Sequence, residues 1–160
     1  MTESISDNLQ KILNNIAEAA KKVGRNPNEI ELIAVSKGQS PEAIAEVIQA
    51  GHFLFGENRV QEAKIKIPML SNKARWHLIG HLQSNKVRQA LPIFDRIQSV
   101  DSLDLARQIN RIAGELGLFP KVLLEINVAG EATKFGFKYE TLRAQMEELL
   151  DQRAKLELEL

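Results

Sequence analysis

The chain has 160 residues, 44% of them hydrophobic and 26% charged, an ordinary balance for one globular domain. Its 21 basic and 21 acidic residues cancel, so long-range electrostatics gives no reason to expect nucleic acid or an anionic membrane as a partner. Cysteine is absent, which excludes disulfides and any thiolate metal or catalytic site.

The N-terminus, MTESISDNLQKILNN, mixes acids and amides with its leucines and isoleucines. It matches neither the apolar core of a signal peptide nor an acid-poor transit peptide. No stretch is apolar for long enough to cross a bilayer, and the cytoplasm is the expected compartment by elimination. Residues 5–23 place Ile5, Leu9, Ile12, Leu13, Ile16, Ala20 and Val23 on one face at helical spacing, and Gly24 and Pro27 end the pattern. A β-rich run over 30–36 follows. Ser40-Pro41-Glu42 then reads as an N-cap, a proline in the first turn and an acid at the helix start, and Gly51 stops that helix.

The alternation continues along the chain. Phe53-Leu-Phe55 leads to a helix after Asn58, and Trp76-His-Leu-Ile79 to a helix from Ser84 to Leu91. Arg96–Val100 leads to a helix capped by Asp101 and ending near Gly117. Val122–Val128 leads through a glycine-bearing loop to a helix from about Tyr139 to Gln152. A last run, Lys155–Leu160, is a candidate sixth strand, although its Leu-Glu-Leu-Glu alternation suits a half-exposed edge better than a buried parallel strand. Strands alternating with helices at short spacing predict right-handed βαβ units on a parallel sheet, hence an α/β fold. An eight-stranded barrel needs about 250 residues, so length alone favours an open sheet. No linker or low-complexity segment divides the chain, and one domain over 1–160 is expected.

In such folds the chemistry gathers at the carboxyl ends of the strands, which here carry Ser36, Lys37, Glu57, Asn58, His81, Ser99, Asp101 and Asn127. Lys37 directly follows Leu32-Ile-Ala-Val-Ser36. A lysine desolvated at that mouth would have its pKa lowered from about 10.4 and its amine freed to attack an aldehyde; the other reading is a strand-end lysine that snorkels into solvent. Phe55-Gly56-Glu57-Asn58 offers close backbone approach beside a carboxylate and an amide, or a loop in which Asn58 caps the next helix. His77 and His81 are four residues apart on what reads as a strand. That is too far for one ion, and with no third ligand suitably placed no metal site is expected; His77 reads as packed and hydrogen-bonded, His81 as lying at the strand exit. Ser84-Asn-Lys-Val-Arg88 is either an anion-holding helix start or a capped, solvated basic turn. The polar, glycine-flanked run Gly130–Phe137 suits a loop at the rim of the site.

In this order, LIAVSK, FLFGENRVQEA, WHLIGHLQSNKVR, IQSVDS and LLEINVAGEATKFGF resemble the pyridoxal 5′-phosphate (PLP) homeostasis proteins over roughly residues 7 to 150. That resemblance implies a (β/α) TIM-barrel fold related to the N-terminal domain of alanine racemase, here about six of eight βα units. It implies PLP held on Lys37 as a Schiff base, with Asn58 near the cofactor and His77 and Asn127 as further cofactor-binding candidates. Family members usually carry threonine after the lysine, whereas Gly38-Gln39-Ser40 stands here, so a more flexible loop is expected. The family's last two βα units, which clasp the PLP phosphate, are missing from this sequence; the domain therefore reads as incomplete at its C-terminus, with weakened PLP affinity and sheet edges open to self-association.

Three functions are compatible with this reading. The first is a PLP carrier or buffer for PLP homeostasis, without strong catalysis and with no catalytic residue assigned. The second is a PLP-dependent amino-acid racemase-like enzyme. It needs a second, tyrosine base, and the sequence's single tyrosine is Tyr139. The third is a cofactor-free interaction scaffold.

Overall fold

A computed structural model describes residues 4–152 and 157–158 of the chain. Six strands, β1 (Ala34–Val35), β2 (Leu54–Glu57), β3 (Arg75–Leu78), β4 (Arg96–Val100), β5 (Lys121–Leu124) and β6 (Glu157–Leu158), form one parallel sheet in that order. Helix α1 (Ile5–Lys22) precedes β1, and α2 (Pro41–Gln49), α3 (Val60–Lys66), α4 (Val87–Ala90), α5 (Leu103–Leu116) and α6 (Tyr139–Asp151) occupy the successive crossovers.

The strand order never reverses. A doubly wound sheet turns back at a switch point, whereas a sheet laid down strictly in chain order keeps every right-handed crossover helix on one side. This is the winding of a (β/α) barrel. The open sheet favoured by length is thereby corrected to a barrel-type sheet whose edges, among the described residues, are β1 and β6. Length is blind to winding, and only the pairing order distinguishes the two.

In-register parallel pairing gives paired residues a common face. Ala34, Phe55 and Trp76 share one face, continued by Glu57, Leu78, Ile97 and Val122. The apolar residues among them join the main core with Ile44, Val60, Val87, Ile109 and Leu149 from the helices, and Phe55 stacks on Trp76 with ring centroids 5.0 Å apart. Val35, Gly56, His77, Arg96 and Lys121 lie on the opposite face, the interior of a barrel. A Cβ added to Gly56 would meet Ile79 Cδ1 at 2.9 Å and Ile33 Cγ2 at 3.0 Å, which puts those two isoleucines over the same inner surface.

Local chemistry departs from the sequence expectations in several places. The run over 30–36 contributes only Ala34–Val35 as ladder, and the run over 122–128 yields to a loop after Leu124. On α1, Leu9 and Ala20 are buried while Ile12 and Leu13, and Val23 just after the helix, remain exposed, since α1 lies at the sheet's first edge and packs mainly on α2. Ser40 caps α2 as expected, accepting from Ala43 N at 3.3 Å. Asp101, however, does not cap α5: Ser102 Oγ accepts from Leu105 N, and Asp101 turns instead to His81. Neither Asn58 nor Ser84 is an N-cap; Arg59 precedes α3 and Gln83 precedes the short turn over 84–86, both without a side-chain cap bond. Glu157–Leu158 pairs with β5 of its own chain. Lys155, Leu156, Glu159 and Leu160 lie outside the described residues.

Candidate functional site

Lys37 occupies a tight turn at the carboxyl end of β1. Gln39 N donates to Ser36 O at 3.0 Å, and Gly38, third residue of the turn, has φ +70°. No non-glycine residue has positive φ among those described, so Lys37 is on the negative side and the turn is type II, which demands glycine at its third position. Gly38 is thus a conformational requirement here. The expectation of a flexible loop is corrected: besides its own hydrogen bond, the turn is held by Gly38 N donating to Glu62 Oε2 at 3.3 Å. Lys37 itself is exposed, which agrees with the strand-end lysine reaching solvent and not with a desolvated one, because the turn carries it out beyond the last ladder bond of β1.

Under the turn lies a buried polar network. Lys66 Nζ donates to Ser36 O at 2.9 Å, Glu57 Oε1 at 2.9 Å and Glu62 Oε2 at 3.3 Å, using every N–H of the ammonium. Ser36 Oγ donates to the same Glu57 Oε1 at 2.7 Å. Ser36, Glu57 and Lys66 are all buried. The Gly38 N–H, the largest influence, holds the Glu62 carboxyl below its ordinary value; burial opposes it, and Lys66 adds to the lowering. Glu57, counted among the mouth residues from sequence, belongs to the helix-covered face, because its register partner is Leu78.

Two residues beyond the paired Val35, Gly56 and His77 come Lys37, Asn58 and Ile79, each just past the last ladder pair of its strand at the carboxyl end of the sheet. Asn58 is half-buried, and Gly80 presses against it: a Cβ on Gly80 would stand 2.5 Å from the Asn58 carbonyl oxygen, so glycine is what lets the chain leaving β3 pass there. An open cleft of about 370 Å³ beside Asn58 is lined by Arg59, Gln61, Gly80, His81 and Lys86 as well. His77 is buried one rung deeper, its Nδ1 2.9 Å from Gln98 Nε2, and burial is the main cause that pushes its pKa down. The packed, hydrogen-bonded His77 expected from sequence is what the structure contains.

Asn127 is brought less close. It follows β5, four strands along the sheet from β1, and its Nδ2 donates to Glu131 O at 2.9 Å and Lys134 O at 3.3 Å, closing the loop over 127–134. On that side of the mouth His81 Nδ1 lies 3.0 Å from Asp101 Oδ2, and the imidazole stacks on Phe135 at 3.7 Å. Glu125 joins this group, its pKa raised by burial first and by Asp101 second.

Comparison with known proteins decides the family. The description of the alanine racemase N-terminal domain matches residues 8–160. The chain belongs to this family. Within it, the pyridoxal phosphate homeostasis protein of Escherichia coli is 40% identical over 157 residues, 95% of this chain and 65% of the relative. PipY of Synechococcus elongatus, solved with PLP bound, is 44% identical with a TM-score of 0.75, covering 88% of this chain and 66% of PipY. Alanine racemase of Clostridium difficile shares the fold at 22% identity, TM-score 0.70, over 96% of this chain and 39% of the enzyme. The chain therefore has an alanine racemase-like barrel fold, and its curated relatives are named pyridoxal phosphate homeostasis proteins. It spans 59% to 65% of the length of the first curated relatives it matches. No helix among the described residues is long and apolar enough to cross a membrane.

The residues that sequence reading passed over are Glu62, Lys66 and Gln98. Glu62 and Lys66 carry the spacing of a helical ion pair, four residues apart on α3, a signal available in the sequence. That this pair also seizes the backbone of another βα unit is visible only in the fold.

Proposed function

We propose that this chain binds PLP through Lys37 and serves in PLP homeostasis as a cytoplasmic carrier or buffer of the cofactor. The observation that carries this reading is a solvent-accessible primary amine held on a tied turn at the mouth of β1, with Asn58 just past the end of the neighbouring strand β2. When bound, PLP supplies an aldehyde that condenses reversibly with an amine. Around that amine, Val35 is 51% exposed and Ile33 and Ile79 close over Gly56, so the inner surface below the turn is largely apolar, suited to an aromatic ring. The Asn58 amide offers both a donor and an acceptor to the ring's polar edge.

The donor set fits the aldehyde and ring ends of the cofactor. For the phosphate end, Arg59, exposed, and Lys86, half-buried, line the cleft beside Asn58 and supply cations, a looser hold than a cradle of backbone N–H groups. His77 serves from below by fixing Gln98 and the floor of the site, and Asn127 by closing the 127–134 loop at the far side of the mouth. We assign no strong catalysis. Tyr139 is exposed at the start of α6, after a strand four positions from β1.

The test is borohydride reduction of the chain with substoichiometric PLP, followed by peptide mass spectrometry. Lys37 is expected to carry the label and Lys37→Ala to abolish it. Label spread over Lys21, Lys64 and Lys86 would sink the assignment, and conversion of L-alanine to D-alanine would support the racemase reading instead.

A further inference from the structure

We propose that Lys66, Glu57 and Glu62 are positioning residues for Lys37, a clamp reaching from β2 and α3 to the turn after β1. This rests on Lys37 as the PLP-bearing residue and adds how that residue is presented. The clamp grips the chain on both sides of Lys37: Lys66 Nζ holds the carbonyl of Ser36, and Glu62 Oε2 holds the N–H of Gly38. Lys37 lies between the two anchors, so its backbone is immobilised while its side chain stays exposed.

The arrangement goes beyond what stability alone calls for. An ammonium and two carboxylates gathered beneath a sheet are no better for folding than apolar residues of similar volume, since desolvation offsets most of their attraction. Glu57 is fully buried, and its Oε2 has no hydrogen-bond partner among the described residues, a polar atom desolvated without return. What the network achieves is a junction between consecutive βα units. Ser36 Oγ and Lys66 Nζ converge on Glu57 Oε1, tying the end of β1 to the end of β2. Ser36 and Glu57 immediately precede Lys37 and Asn58, so the same atoms fix where both chains leave the sheet.

Glu62 is the place to test it, because Lys66→Met would strand the buried Glu57 carboxylate and endanger the fold itself. The Glu62 side chain is 32% exposed and its carboxylate contacts the turn directly. In Glu62→Ala, amide exchange at Gly38 and Gln39, read without PLP, is expected to quicken by about tenfold or more, the effect of one lost charge-assisted hydrogen bond on a local opening. Exchange at Leu78 and Ile97 should stay as in the parent. Under substoichiometric PLP the reducible label on Lys37 should fall by a similar factor, with part of it appearing on other lysines. Glu62→Gln keeps an oxygen acceptor and should restore most of both signals, which a purely structural role would not require. The inference is overturned if turn exchange and Lys37 labelling are unchanged in Glu62→Ala, or if labelling falls only in step with lost protection at Leu78 and Ile97. A parent chain whose turn is protected but whose Lys37 takes no label defeats the PLP reading, and the positioning role with it; the exchange data then still report whether the clamp holds the turn.

Discussion

The two faces of this sheet are made from the same strands and differ in nearly everything else. Phe55 and Val35 belong to neighbouring strands, yet Phe55, against the helices, is 1% exposed and Val35, on the inner face, is 51% exposed. The helix-covered face is close-packed: Phe55, Trp76, Leu78, Ile97 and Val122 interlock with α2 to α6, and the polar residues admitted there, Ser36, Glu57, Lys66 and Ser99, are hydrogen-bonded to neighbours. The inner face carries Gly56, His77, Arg96, Gln98 and Lys121, with Lys37 and Asn58 at its mouth. Stability is therefore concentrated on one side and chemistry on the other, and alternate residues of each strand serve different ends.

The largest effect that would break this division is a pair of truncations. Phe55→Ala removes a buried ring stacked on Trp76 and should cost about 3–5 kcal/mol. Val35→Ala, at a half-exposed site on the adjacent strand, should cost under about 1 kcal/mol. Urea denaturation of the two variants measures both. Comparable losses would mean that the inner face is packed as tightly as the outer one, for instance by another copy of the chain.

That possibility defines the next effect, which changes assembly and not folding. β1 and β6 are edges among the described residues, and Val35, Ile126 and Phe135 are exposed on or near the uncovered side. Unpaired parallel edges beside an apolar floor are templates for association. We expect the 160-residue chain to sediment as a concentration-dependent oligomer at micromolar concentration, and Val35→Lys to shift it towards monomer without loss of helical signal. A monomer at every concentration would show that six strands and their helices suffice.

Much of this division was legible in the sequence, and the rest was not, for reasons of register. Strand and helix alternation, the capped start of α2, Lys37 at a strand exit and a packed His77 all follow from local periodicity and turn chemistry. Which face a strand residue occupies depends on its pairing, and so Glu57 and Asn58, adjacent in sequence, could not be divided into a core carboxylate and a mouth amide beforehand. The helix starts of α3 and α5 fell one residue later than expected, at Arg59 and Ser102, the second because Asp101 is drawn away by His81. Gly38 reads as a source of flexibility in a linear sequence. In the fold its positive φ is what permits the tightest turn of the site.

The smallest effect concerns His77, the titratable group of the inner face, and its sign follows from burial. Around it lie Arg75 and Arg96, which disfavour the imidazolium, and Glu31 and Asp95, which favour it; burial outweighs them all and lowers the pKa. The unfolded chain takes up this proton near the ordinary histidine value of about 6.5, whereas the folded chain takes it up only at lower pH. Between those two values the unfolded state binds more protons, so stability is fully present above about pH 6.5 and is lost as the pH falls towards the folded pKa. Glu31 pulls in the same direction lower down: the hydrogen bond from Arg75 holds its carboxyl below the ordinary value, a contribution present at neutral pH and lost on acidification. The two are separable by position on the pH axis. In His77→Gln, whose amide can still meet Gln98, the decline of the urea midpoint between about pH 7 and 5.5 should flatten, while the steeper loss at carboxylate pH remains. A mutant whose profile keeps the parent's slope over the higher interval would mean that His77 is solvated on the inner face, and that the open side of the sheet is wetter than its packing against Gln98 implies.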